Sequence, residues 1–228
     1  MRPLLLSALA LALLAGCPSA EPTKAPAPPP APEPVTEAIP EPAPEVAATP
    51  IALSAGSSLT FSARKNDEVD VAGTFTKLTG QMTVPGGDLS KARGTIEVSW
   101  FGGVDTKDPA RDMNIVTAFF GALDDTAPKG QVGLNSLEVE TPQLDVGAST
   151  TGNAFVDVGA GRSMVGLALQ VKVERTAEAA YTFTVTEPAT VSIDALGMTD
   201  RKDALMTLCG HKSVGDAVTI SGTAVFGG

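Results

Sequence analysis

The amino-acid sequence predicts an all-β domain of antiparallel strands with one or two short helices. Three observations carry that expectation. Apolar and polar residues alternate in short segments from Leu59 to Phe226, the period of strands with one buried face. Gly, Pro, Asn and Asp punctuate these segments every 8–14 residues or so, as turns between strands would. Few segments between the strands could form a crossover helix, so antiparallel pairing is expected.

Residues 1–16 read as a secretory signal. Arg2 supplies the positive end and Leu4 to Leu14 the apolar run, which is too short to stay in a bilayer as a spanning helix. Leu14-Ala15-Gly16-Cys17 closely resembles the lipobox of bacterial lipoproteins. The resemblance implies cleavage before Cys17, diacylglycerol on its thiol and, in many bacteria, an added N-acyl chain such as palmitate. Several acyl chains make a stable membrane anchor where one holds only marginally. Pro18 follows the cysteine where an Asp would favour inner-membrane retention. The expected location is the bacterial cell envelope, at the outer membrane with the domain facing the periplasm.

Residues 17–50 form the lipidated cysteine and a Pro/Ala-rich linker holding twelve of the eighteen prolines. No apolar period runs through the segment, so disorder is expected. At about 3.1 Å per residue it reaches roughly 100 Å at most. It reads as a tether, or as a PxxP ligand for another protein or the cell wall. Residues 51–228 are long enough for one domain with a substantial core. The net charge of −10 and the lack of a basic run argue against nucleic acid as a partner. Of the two cysteines, Cys17 and Cys209, the first is the lipid site, so no internal disulfide is expected.

Within the domain, Leu59 and Phe61 mark a first strand, Val69, Val71, Gly73 and Phe75 a second, and Leu78 to Val84 a third ended by Pro85-Gly86-Gly87. Ile96, Val98 and Trp100 share one face of a fourth, with Thr95, Glu97 and Ser99 opposite. Asp108-Pro109 then starts a helix: the carboxylate accepts free backbone N–H groups, and proline suits the first helical position. Met113, Val116 and Phe119/Phe120 form its expected apolar stripe. Further strands follow at Val132–Glu140, Ala154–Val158, Met164–Glu174, Tyr181–Val185 and Val218–Phe226. A second helix is expected after Asp200, burying Leu205, Met206 and Leu208 and ended by Gly210. A sandwich and a closed barrel both fit eight or nine such strands. Small inward residues, Gly73, Gly80, Ala154 and Gly222, are compatible with an unfilled interior.

Three passages resemble the YceI-like family of lipid/polyisoprenoid-binding proteins. Gly73-Thr74-Phe75-Thr76-Lys77-Leu78-Thr79-Gly80 is similar to the family's G-x-F-x-x-hydrophobic-x-G. Asp105-Thr106, Arg111-Asp112 and Phe119-Phe120 resemble its D-T…R-D…F-F passage. Ser213 to Ile220 is like its closing V-G-D-x-V-x-I strand. The likeness spans roughly residues 57–227. The family's His-bearing L-x-x-H-G-V-T passage has no counterpart at residues 156–163, and its Y-P-x-I-x-F strand is replaced by Gly130–Glu140. The resemblance implies an antiparallel lipocalin-like β-barrel around a long apolar chain, such as a polyprenyl tail, an isoprenoid quinone or a fatty acyl derivative. Each buried CH2 of such a ligand contributes about 0.8 kcal/mol.

Catalytic chemistry is poorly supported. His211 is the only histidine and no G-x-S-x-G elbow accompanies it. It reads as a cap or surface residue. Cys209 reads as a small hydrophobe, and no ligand spacing suggests a metal. No enzyme activity, metal or cofactor is expected. Arg111 and Asp112 read as a local ion pair and cap, or as the polar end of a cavity where Arg111 meets a head group. The candidate ligand-binding residues are Val71, Phe75, Ile96, Val98, Trp100, Arg111, Phe119, Phe120, Leu167, Leu169, Tyr181, Phe183 and Ile220. Binding or carriage of a polyisoprenoid or other amphiphilic lipid is the expected function. The alternative is a structural lipoprotein whose barrel is filled by its own side chains.

Overall fold

A computed structural model describes residues 48–161 and 163–228. The signal segment, Cys17 and nearly all of the linker lie outside the described residues.

The described residues form twelve strands: β1 (Ile51–Ala52), β2 (Ser58–Lys65), β3 (Val69–Phe75), β4 (Leu78–Thr83), β5 (Arg93–Val98), β6 (Val104–Asp105), β7 (Gly130–Val139), β8 (Ser149–Gly159), β9 (Met164–Ala177), β10 (Ala180–Val185), β11 (Ala189–Ser192) and β12 (Val214–Phe226). Helix α1 (Pro109–Asn114) lies between β6 and β7, and α2 (Thr199–Cys209) between β11 and β12. One antiparallel sheet runs β1-β4-β5-β7-β8-β9-β10-β12-β2-β3-β6, with β11 added on β12. It curls into a half-barrel of the lipocalin-like, all-β kind.

The alternation in the sequence sets the faces. Along β9, Val165, Leu167, Leu169, Val171 and Val173 turn inward, while Met164, Gly166, Ala168, Gln170 and Lys172 are exposed. The β2–β3 hairpin turns through the three residues Asn66-Asp67-Glu68, with Asn66 and Asp67 both at positive φ (52° and 57°) and Glu68 N–H donating to Lys65 O. At one pole residues 51–54 stitch β4 to β12. Leu53 N–H donates to Gly80 O, Ser54 N–H to Val225 O and Gly227 N–H to Ala52 O. Leu53 also bridges Phe226.

Several expectations need correction. Strand β5 stops at Val98, two residues short of Trp100, whose buried ring still faces inward because the alternation persists. The first helix does not hold its 3.6-residue period. After Asn114 it widens into a π-turn at Ile115–Phe119, and Phe120 N–H reaches Ile115 O. The extra residue falls between Val116 and Phe120 and breaks the expected stripe; Met113, ahead of it, is 58% exposed while Val116 is buried. In α2, Leu205 and Met206 are half-buried but Leu208 is 58% exposed. The short strands β1, β6 and β11 carry too few residues to show alternation. The inward glycines are themselves closely approached. The Phe61 ring covers Gly73, a Cβ on Gly80 would overlap the Thr95 carbonyl, and one on Gly222 the Ser58 carbonyl.

Candidate functional site

The apolar interior falls into three packed groups. Met82, Leu89, Leu137, Val173, Tyr181 and Phe226 belong to the largest, at the pole of residues 51–54. Trp100, Val98, Val104, Val116 and Ala122 form the second, and Val191, Ile193, Leu196 and Met198 the third. Between the second and third lies an apolar chamber of about 180 Å³ under the two helices. A smaller chamber of about 100 Å³ continues along the same strands toward the other pole. On β2 the step is from Phe61 to Leu59, on β8 from Val158 to Val156, and on β12 from Ile220 to Gly222. Leu59 and Leu78 pack against both the first and second groups.

Aromatic rings form one wall of the larger chamber. Phe61 stacks on Phe75 at 4.9 Å between centroids, and Phe75 meets Trp100 edge-on at 5.4 Å. Trp100 lies parallel to Phe120 at 3.8 Å, and Phe119 stands edge-on to Phe120 at 5.0 Å. Such pairs add about 0.5–1.5 kcal/mol each beyond area burial. Trp100 fits because Gly130, at the start of β7, has no side chain: a Cβ there would overlap the indole.

The cap above the chamber is fixed by the residues of two sequence motifs. Buried Thr106 donates from its backbone N–H (2.8 Å) and its hydroxyl (2.6 Å) to Asp112 Oδ1. Asp108 caps α1 by accepting from Ala110 and Arg111 N–H, and pairs with Arg111 at 3.3 Å. Asp216, at the start of β12, accepts from the Ser192 hydroxyl and from Asp194 N–H, with Lys202 Nζ 3.6 Å away. The Ser192 hydrogen bond, foremost, holds the Asp216 carboxyl below the usual carboxylate range; burial, next in size, opposes it, and the Asp194 N–H and Lys202 add to the lowering. This network ties the wall carrying Val191, Ile193 and Leu196 to the sheet. Asn66 Oδ1 accepts from Lys212 and Ser213 N–H, which joins the β2–β3 turn to the segment after α2.

Of the residues named from sequence, Val71, Phe75, Trp100, Arg111, Phe119, Phe120 and Ile220 line the larger chamber. Ile96, Leu169 and Phe183 line the smaller one. Val98, Leu167 and Tyr181 line neither. Val98 is buried beside Trp100, Leu167 packs between groups, and Tyr181 is buried at the far pole beside an open cleft shared with residues 48–52. Sequence reasoning did not name Lys65, Ile115, Ile193, Leu196, Leu205 or Val218 as ligand-binding candidates, though all of them line the larger chamber. The apolar run of Ile193, Leu196 and Met198 within a turn-rich segment was the available signal. His211 and Cys209 also line the chamber. Asn114 Nδ2 donates weakly to Cys209 Sγ at 3.5 Å. Among the described residues no three His, Cys, Asp or Glu side chains gather as metal ligands would.

No protein-family model and no curated protein sequence matches the chain. Solved structures do. A polyisoprenoid-binding domain from Saccharophagus degradans, implicated in plant cell wall breakdown, superposes with a TM-score of 0.63 at 15% identity, over 79% of this chain and 99% of that one. The Campylobacter jejuni YceI protein superposes with a TM-score of 0.51 at 11% identity, over 70% and 86%. The described domain therefore shares the fold of a polyisoprenoid-binding domain and of a YceI protein.

Proposed function

We propose that this chain is an envelope lipoprotein of the YceI-like family whose half-barrel binds or carries a polyisoprenoid or other amphiphilic lipid. Lipid on Cys17 anchors it, at the outer membrane with the domain toward the periplasm. It performs no chemistry of its own. One observation carries the reading: a chamber of about 180 Å³, walled almost entirely by apolar side chains, sits at the helical pole. Concave apolar sites of this kind are the common form of small-molecule pockets. The shared fold with a polyisoprenoid-binding domain supports the same reading.

The test uses the full chain with Cys17→Ser, purified without detergent. Native mass spectrometry before and after organic extraction should reveal a bound lipid, and the stripped protein should take up added prenyl lipid. A clean empty mass with no uptake would sink the proposal. That result would favour the second reading, a side-chain-filled scaffold, for which the Trp100–Phe120 stack inside the barrel speaks. Radiolabelled palmitate incorporated into the wild type and lost in Cys17→Ser tests the anchor separately.

A further inference from the structure

We infer that helix α2 is a lid. It pivots at its N-terminal end, beside Met198, and lifts its C-terminal half, Leu205 to Cys209, off the larger chamber. The inference rests on the lipid-binding reading and adds the moving part by which a ligand enters.

The chamber is walled by β2, β3, β8, β11 and β12 and roofed by two helical pieces, α1 with its π-turn and α2. The two pieces are held differently. In the first, Asp112 takes two hydrogen bonds from Thr106, Val116 is buried and Phe120 stacks on Trp100. In the second, none of the 11 residues is buried. Its inward side is Arg201, Lys202, Leu205, Met206 and Cys209, each half-buried. Leu205 and Cys209 line the chamber, and a side chain beside a void forfeits the dispersion contacts that packed neighbours would give. A segment with so few buried apolar contacts opens locally at low free energy.

The two ends of α2 are also unlike. At the N-terminal end Met198 is buried and its carbonyl accepts from Arg201 and Lys202 N–H. The Thr199 hydroxyl donates to Asp194 at 2.6 Å, and Lys202 Nζ lies 3.4 Å from Asp194 and 3.6 Å from Asp216. At the C-terminal end Leu208 is exposed and Cys209 takes only the weak 3.5 Å bond from Asn114. Gly210 follows in left-handed backbone, φ 64°, with open space where a Cβ would stand. Only glycine turns freely through such conformations, and hinges absorb their change at a few positions of this kind. Asn66 Oδ1 then fixes the chain again at Lys212 and Ser213. The pinned end is the pivot and Gly210 supplies the slack.

The test uses the full chain with Cys17→Ser and Asn114→Cys. The new thiol stands opposite Cys209, and a disulfide between them pins the lid's free end to α1. Trp100, the single tryptophan, lines the chamber and reports entry of a ten-carbon isoprenoid acid through its emission. In stopped-flow mixing the oxidised protein should take up the acid about tenfold more slowly than the same protein reduced. Hydrogen exchange on the Cys17→Ser chain needs neither the disulfide nor a ligand. Amides of Leu205 to Cys209 should exchange about tenfold faster than those of Arg201 and Lys202. Equal uptake by oxidised and reduced protein would overturn the lid and leave lipid binding standing, as would uniform protection along α2. Uptake by neither form would overturn the lipid reading, and the lid's role with it.

Discussion

Replacing Ala63 with Phe isolates the contribution of the larger chamber. Ala63 lies on the inward row of β2 between Phe61 and Lys65 and lines the chamber. A phenyl group needs about as much room as the benzene that fills a cavity of ~150 Å³, most of the 180 Å³ present. A ligand tail would lose the place of about six carbons. At ~0.8 kcal/mol per buried CH2 that is about 5 kcal/mol, or between three and four decades of affinity. Filling a void rather than opening one should leave stability unchanged or raised by about 0.5–2 kcal/mol. The assay is titration calorimetry with the ten-carbon isoprenoid acid, alongside a thermal melt. Ala72→Phe, exposed on the neighbouring strand, is the control and should bind normally. A folded Ala63→Phe protein with wild-type affinity would refute the assignment of the tail to this chamber.

Three further outcomes follow from the packing and the hydrogen bonds. Gly130→Ala should push the Trp100 indole out of place and cost about 1–3 kcal/mol, read as a lower melting temperature and a changed tryptophan emission. Asp112→Asn should weaken the two bonds from Thr106 and cost about 1–3 kcal/mol in urea unfolding, whereas a change at exposed Asp145 should cost almost nothing. Asp216 is held below the usual carboxylate range, so its contribution to stability is complete above the unfolded value of about 3.9 and is lost as pH falls through the lower folded value. Asp216→Asn or Ser192→Ala should flatten the acid limb of a stability-against-pH curve below about pH 4, and an unchanged limb would contradict that account.

The longer strands were legible because most are half-buried, and half-burial writes a period of two into the residues. The inward row of β9 shows this best, and Gly210, at φ +64°, ends α2 where the sequence expects. The π-turn was not legible, since widening a helix by one residue is decided by how Phe120 stacks on Trp100 and Phe119 meets Phe120. Gly130 could not be read either: its meaning lies in the indole that crosses it from β5's end. The chamber was only half visible. Phe75, Trp100 and Ile220 declare themselves by parity, whereas Ile193 and Leu196 reach it from a turn with no period. Lys65 was hidden because a cation at a strand end ordinarily faces water. The D-T…R-D and V-G-D passages were noticed as motifs. Asp112 and Asp216 in them hold the cap and the wall, while Arg111 reaches the chamber itself.

The chain joins the half-barrel at the pole away from the larger chamber. Residues 48–52 lie with Val84, Leu144 and Tyr181, and Phe226, which bridges Leu53, ends a strand that begins at the chamber with Val214. Thirteen residues separate these ends, about 40 Å at roughly 3.3 Å each. Any fastening upstream of residue 48 holds the domain by its heel. A ligand held in the larger chamber would lie at the end of the half-barrel away from any such fastening.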